Sequence, residues 1–162
     1  MTTLTVFKFA TPEGASRMLG KVQSLQKMEL IKVLDAAIVT WPVGKDKPKT
    51  KQLADMASIG ALQGAFWGIL FGLIFFVPFF GLAVGAAFGA LGGKMADYGI
   101  DDDFIKQTRA KVTEGTSALF LMTSNVVQDK LIAELQGLEF ELIASNLTKE
   151  QEEQLMAAFA EE

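Results

Sequence analysis

The order of elements in this 162-residue sequence predicts an α+β fold, and three observations predict it. The chain opens with a β-α-β pattern and closes with an α-β-α-β pattern followed by a short helix. Between the two lies an uncharged, glycine-patterned run from Met56 to Gly93. Without that run, the remainder reads as two βαβ units interleaved in one antiparallel sheet, a ferredoxin-like sandwich with crossovers of suitable length. The run is then a helical hairpin inserted between the second and third strands. The expected organisation is residues 1–44 for the first half of the sandwich, 45–51 for a lysine-rich linker, 52–98 for the hairpin and 99–162 for the second half with its C-terminal helix.

"LTVFKFA" (Leu4 to Ala10) is rich in β-branched and aromatic residues and predicts the first strand. Thr11 is placed to cap a helix with Pro12 at its first position, and Ala15, Met18, Leu19, Val22 and Leu25 follow at helical spacing to about Met28. "LIKVLDAAIVTW" (Leu30 to Trp41) predicts the second strand, closed by Pro42 and Gly44. Beyond the apolar run, "DDD" at Asp101 to Asp103 marks a helix N-terminus, where carboxylates cap free N–H groups. The same three carboxylates suit a hard cation, but three adjacent residues cannot all face one ion. "TSALFLMTS" (Thr116 to Ser124) predicts a strand, and Val127, Leu131, Leu135 and Leu138 line one face of a helix. "EFELIAS" (Glu139 to Ser145) alternates as a strand, and "TKEQ" from Thr148 has the form of a capping box before a last helix bearing Leu155, Met156 and Phe159. Glu139 and Glu141 share one strand face as a formal acid/base pair, and the alternation with Phe140 and Leu142 reads as a solvated face.

The strands are apolar on both faces. Leu4 and Val6 alternate with Phe7 and Phe9, and Leu119 and Leu121 with Phe120 and Met122. A two-layer fold leaves one sheet face to water, so the second face here needs a cover: another subunit, the C-terminal helix or the hairpin.

Within the apolar run, glycines recur every four residues, at Gly60, Gly64, Gly68 and Gly72 and again at Gly81, Gly85, Gly89 and Gly93. Residues four apart stack along one side of a helix, so each arm carries a glycine groove. Each glycine costs about 1 kcal/mol relative to alanine in a helix interior, and close backbone approach to another helix offsets that. The arms flank a bend made of Phe75, Phe76, Val77, Pro78, Phe79 and Phe80, where a water-facing turn calls for Gly, Asn, Asp or Ser. At about 18 residues, or roughly 27 Å of helix, each arm approaches the hydrocarbon thickness of a bilayer. Two readings of this glycine zipper stand: a membrane hairpin, or a core hairpin in a soluble assembly. Lys45, Lys47, Lys49 and Lys51 precede the run and Lys94 follows it, which suits a membrane-proximal basic rim on the cytoplasmic side, or equally a solvated linker. Met56, Trp67, Met95 and Tyr98 read as packing or interfacial residues, with Trp67 a contact between helices.

Composition excludes several classes of chemistry. The chain has no cysteine and no histidine, which removes disulfides, thiolate nucleophiles, imidazole bases and the usual zinc and haem ligands. Net charge is −4 and Arg17 and Arg109 are the only arginines, so the basic footprint of a nucleic-acid binder is missing. No secretory or lipidation signal is visible. No cofactor fingerprint or nucleophile motif is present, and "GALGGKMAD" departs from a phosphate loop because Met95 follows Lys94.

The strand "VFKF" with its "GA" helix start, "AAIVTW" with its lysine-rich exit, the double glycine repeat through "IFFVPFFGLAVGAAFGALGGKMADYGIDDDFI", and "SALFLMT" resemble the bacterial domain-of-unknown-function family twelve-sixty-nine. The resemblance implies a membrane protein and no established activity. The expectation is thus a non-enzymatic homo-oligomer associated with membrane lipid, without cofactor or metal, at the inner membrane with both termini cytoplasmic. Its role would be scaffolding or modifying the bilayer. The alternatives are a cytoplasmic soluble shell or ring, with room for a hydrophobic ligand, and a pore, for which Ser58 and Gln63 are the only polar material.

Overall fold

The computed structural model describes residues 2–53, 64–76, 95–135 and 139–159. The protein is α+β, with a five-stranded antiparallel sheet and six helices among those residues. In chain order the elements are β1 (Thr2–Phe9), α1 (Gly14–Lys27), β2 (Asp35–Thr40), β3 (Lys49–Gln52), α2 (Gly64–Phe71) running into a π-helical turn (Gly72–Phe76), α3 (Asp102–Lys111), β4 (Ser117–Ser124), α4 (Asn125–Glu134), β5 (Glu141–Leu147) and α5 (Lys149–Phe159). The strand order is β3-β2-β4-β1-β5. β1 is central, paired antiparallel with β4 (Val6 opposite Phe120) and with β5 (Val6 opposite Ile143).

Because both faces of the strands are apolar, helices cover both. Phe7, Phe9, Ala36, Leu119 and Leu121 meet Ala15, Met18, Val22 and Leu25 of α1 and Leu131 of α4, with Leu135 just beyond it. Leu4, Val6, Ala37, Val39, Phe120 and Met122 meet α2, its π turn, α3 and Leu155 of α5. The cover that the doubly apolar strands demand is therefore supplied within the chain by α2, α3 and α5. No helix among the described residues is long and apolar enough to cross a membrane.

Several local expectations shift. The second strand is Asp35–Thr40 rather than the whole of Leu30 to Trp41, and the strand expected from Glu139 begins at Glu141. Lys49 and Lys51 lie in β3, paired with β2 at the sheet edge, so the end of the expected linker is a strand. An edge strand is fixed by its partner's free backbone groups and needs no apolar alternation of its own. Helix α1 starts at Gly14, and Thr11 does not cap it. Ser117 of β4 does so instead: its Oγ accepts from the Ala15 N–H at 2.9 Å and donates to the Thr11 carbonyl at 2.7 Å. Gly14 is needed there, since a Cβ would stand 2.4 Å from that of Phe9.

Two caps match the sequence reading. The Asp101 carboxylate accepts from the Phe104 N–H at 2.9 Å, with Asp102 and Asp103 in the first turn of α3. Thr148 and Gln151 cap α5 reciprocally, at 2.9 and 3.1 Å.

Candidate functional site

The features that set this domain apart gather around α2, the described part of the first glycine arm. Its residues carry no charge, and one side faces the sheet. Phe66, Trp67, Leu70 and Phe71 are buried there, as are Leu73, Ile74 and Phe75 of the π turn. The Trp67 ring lies edge-on to Phe120 of β4 at 6.3 Å and stacks on Phe71 at 5.7 Å, and Phe71 meets Phe120 edge-on at 5.1 Å. Trp67 thus packs on the sheet as well as within its own helix, and the second glycine arm, on which the expected contact between helices falls, lies outside the described residues. On the opposite side no described residue covers Gly68. Gly68 is exposed, and a Cβ built on it meets no described atom within 4 Å. A four-residue repeat advances 400°, so the glycine line drifts 40° per step, and Gly72 accordingly comes round to a buried position.

A polar tether fixes each end of this apolar element. At one end stands Asp35, 1 % exposed at the start of β2. A buried carboxylate is tolerable only when its oxygens are hydrogen-bonded. Here the Trp67 Nε1–H donates to Oδ2 at 3.2 Å, Gln52 Nε2 donates to Oδ2 at 3.2 Å, and the Ala36 N–H donates to Oδ1 at 2.8 Å. One carboxylate therefore joins β2, β3 and α2.

At the other end Arg109 of α3 reaches the π turn. Its Nε donates to the Ile74 carbonyl at 2.9 Å and its Nη2 to the Leu73 carbonyl at 2.5 Å. The reason lies in the sequence. A helical turn would satisfy the Ile74 carbonyl from residue 78 in α geometry and the Leu73 carbonyl from residue 78 in π geometry, and residue 78 is proline, which has no N–H. The guanidinium fork supplies the missing donors.

Other residues singled out by sequence fall around this core. Phe75 is buried in the π turn, edge-on to Trp41 at 6.2 Å. Lys45, Lys47, Lys49 and Lys51 are all exposed along the loop and edge strand beyond Trp41, whose Nε1–H donates to the Lys45 carbonyl. Met95 is buried and Tyr98 half-buried against the α2 side of the sheet. Asp101 and Asp103 border a polar cleft with Gln107, Asn146 and Gln151, and Asp101 is committed to its cap. Among the described residues no group of three or more acids could hold a metal ion. Glu139 and Glu141 are both exposed, and Glu141 pairs with Lys111 at 3.0 Å and Lys8 at 4.0 Å. The Lys111 hydrogen bond, with the charges of Lys8 and Lys111, holds the Glu141 carboxyl below the usual carboxylate range. Gly60, Gly81, Gly85, Gly89, Gly93, Val77, Pro78, Phe79, Phe80, Lys94, Ser58 and Gln63 lie outside the described residues.

Asp35 and Arg109 are the residues that sequence reasoning passed over. Their signals were present: a lone acid inside "VLDAAIV", and one of only two arginines in the chain.

The model of a family described as protein of unknown function (DUF1269) matches residues 61–160, a span that takes in the tethered α2, both caps and β4, β5 and α5. The chain belongs to this family. No curated protein and no solved structure matches it. The DUF1269 match begins three residues before α2 and spans Gly64 to Gly93 and Arg109, while β1, α1, β2, β3 and Asp35 precede it.

Proposed function

We propose that this protein is a non-enzymatic homo-oligomer in which α2 is seated on its own sheet and turns its open side, at Gly68, toward neighbouring copies. The observation that carries this reading is the two-sidedness of α2: Trp67 and Phe71 buried against Phe120, and Gly68 open. An exposed glycine inside a helix costs stability unless another helix comes close enough to use the missing side chain. Chain length supports the same reading. The π turn ends beside Trp41 at the Phe9 end of the sheet. Met95 leads into Gly99, whose carbonyl accepts from Ser145 near the Thr2 end. Eight residues of β1 span about 26 Å between those ends. The two points are joined by residues 77–94, fewer than the roughly 40 that two helical crossings of a bilayer about 30 Å thick require.

The domain itself we read as ferredoxin-like. Support comes from the order β2-β4-β1-β5, from the antiparallel pairing of β1 with both neighbours, and from α1 and α4 packing on one face; β3 is an added edge.

A second reading, association with the cytoplasmic face of the inner membrane, has its own support. Val43 is 77 % exposed at the tip of the loop after Trp41, flanked by Lys45 and Lys47, beside the point where the apolar run leaves the π turn. That combination suits anionic headgroups. Light scattering with and without detergent, on protein from carbonate-washed membranes and from the soluble fraction, separates the two. A monodisperse multimer in plain buffer is expected. A monomer in plain buffer would overturn the first reading, and recovery only with detergent would replace it with the second.

A further inference from the structure

We propose that the outer edge of β5 pairs antiparallel with β5 of a second copy about a two-fold axis at Ala144, joining two sheets into one of about ten strands. This interface is separate from the glycine face of α2 and does not depend on it.

The two edges of the sheet are built differently. β3 is four residues long and carries exposed Lys49 and Lys51, the usual defence of an edge against another strand. β5 is seven residues long, and from Leu142 to Leu147 it has no charge, no proline and no glycine. Its register with β1 is unbroken from Thr2 opposite Leu147 to Lys8 opposite Glu141, so no bulge twists the edge away. Among the described residues β5 pairs with β1 alone. Leu142 is 41 % exposed and Ala144 and Asn146 are exposed beside it, on the sheet face that α1 and α4 cover elsewhere. A long, regular edge with no charge of its own from Leu142 to Leu147 and an apolar side chain in water is a template for a strand, and the polar cleft of Asp101 and Asp103 borders it on the α3 side.

The occupant that fits is the same strand. Ala144 is the middle residue of β5, so centring the axis there uses its whole length and puts the smallest side chain where the copies come closest. Leu142 then lies opposite Asn146 of the copy, and Glu141, whose charge Lys111 and Lys8 already meet, lies opposite Leu147. A parallel pairing in register would instead set Glu141 against Glu141, which the antiparallel one keeps at opposite ends of the ladder. Charge therefore selects the antiparallel arrangement.

The absence of native cysteine makes the test clean. Directly opposed residues in an antiparallel ladder have Cα atoms about 4.5–5.5 Å apart, within the range a disulfide bridges. Ala144→Cys is expected to oxidise to a covalent dimer at micromolar protein without raising the native particle mass. Ala144→Lys, and independently Leu142→Lys, both at exposed positions, are expected to halve the mass seen by light scattering while leaving the circular dichroism spectrum unchanged. An unchanged mass in both lysine variants, with the cysteine variant remaining a free thiol, overturns the proposal. Gly68→Leu measured alongside separates this interface from the hairpin one. A mass that falls only with Gly68→Leu refutes the β5 pairing and leaves the glycine face standing. A fall only with the β5 variants does the reverse.

Discussion

The two faces of the sheet each hold one helix that contrasts with the other, α1 on one face and α2 on the opposite one. On one face α1 is amphipathic: Ala15, Met18, Val22 and Leu25 go inward, and Arg17, Ser24 and Lys27 stay in water. Such a helix needs no help to find its orientation, because only one rotation buries its apolar stripe. On the other face α2 has no polar side at all, so hydrophobic burial alone would accept several rotations and slides. Its placement is specified by two polar tethers, the Asp35 carboxylate on the Trp67 ring N–H and the Arg109 guanidinium on the last carbonyls. An apolar helix on an apolar surface gets its stability from burial and its register from a few hydrogen bonds.

The largest expected effect separates the faces directly. Trp67→Ala removes the biggest fully buried side chain and one donor to a buried carboxylate, and is expected to cost about 3–5 kcal/mol, against about 2–5 for Met18→Ala on the α1 side. Urea denaturation midpoints measure both. A cost for Trp67→Ala well below that for Met18→Ala would mean that α2 is not seated on the sheet in solution.

Arg109→Met comes next. Two charge-assisted hydrogen bonds are lost, but the arginine side chain is exposed and partly screened, so about 1–2 kcal/mol is expected, with Arg109→Lys restoring less than half because an ammonium cannot reproduce the fork. The sharper readout is local. Amide exchange in Leu70 to Phe75 is expected to quicken while β4 stays protected. Uniform quickening through β4 would show that the arginine supports the whole domain and not the end of α2.

A pair of glycine substitutions is expected to act in opposite directions. Gly14→Ala drives a methyl into Phe9 and is expected to destabilise by about 1–3 kcal/mol. Gly68→Ala meets open space and is expected to stabilise the isolated domain by up to about 1 kcal/mol. Both are read from thermal melting at low protein concentration. A loss of stability for Gly68→Ala that grows with protein concentration would show that a neighbouring helix lies on that side.

These contrasts also explain what was legible in the sequence. The amphipathic α1, the alternating strands and the caps of α3 and α5 depend on local spacing, and local spacing is what a sequence displays. The doubly apolar strands correctly demanded a second cover. What covers them could not be read, because a lipid tail and an apolar sheet face make the same demand on a helix: "GAFWGILFGLIFF" suits either. The Asp35 and Arg109 tethers were hidden for a different reason. Each joins groups more than 30 positions apart, and one polar residue in an apolar stretch announces that it needs a partner without naming it. β3 was hidden by its lysines, which guard the edge and read as linker.

The smallest effect expected concerns α3, which carries Arg109, and its hold on β5. Glu141 takes Lys111 from the end of α3 and Lys8 from β1, so its charge tethers the α2-side layer to the edge strand. Its pKa is lowered on folding, first by the Lys111 hydrogen bond and then by the charges of Lys8 and Lys111. A carboxylate with a depressed folded pKa binds its proton less readily in the folded state than in the unfolded one. Its contribution is therefore complete above the unfolded value and is lost as pH falls through the folded one. Because the group is fully exposed, global stability will scarcely register the change, and the carboxyl carbon resonance of Glu141 is the place to follow it. Lys111→Met is expected to return its midpoint most of the way to the ordinary glutamate value, and Lys8→Met to move it less, since Lys8 stands at 4.0 Å and offers charge alone. If instead Lys8→Met has the larger effect, the ammonium nearest Glu141 in solution belongs to β1, and α3 is held to the sheet by its apolar contacts and not by this pair.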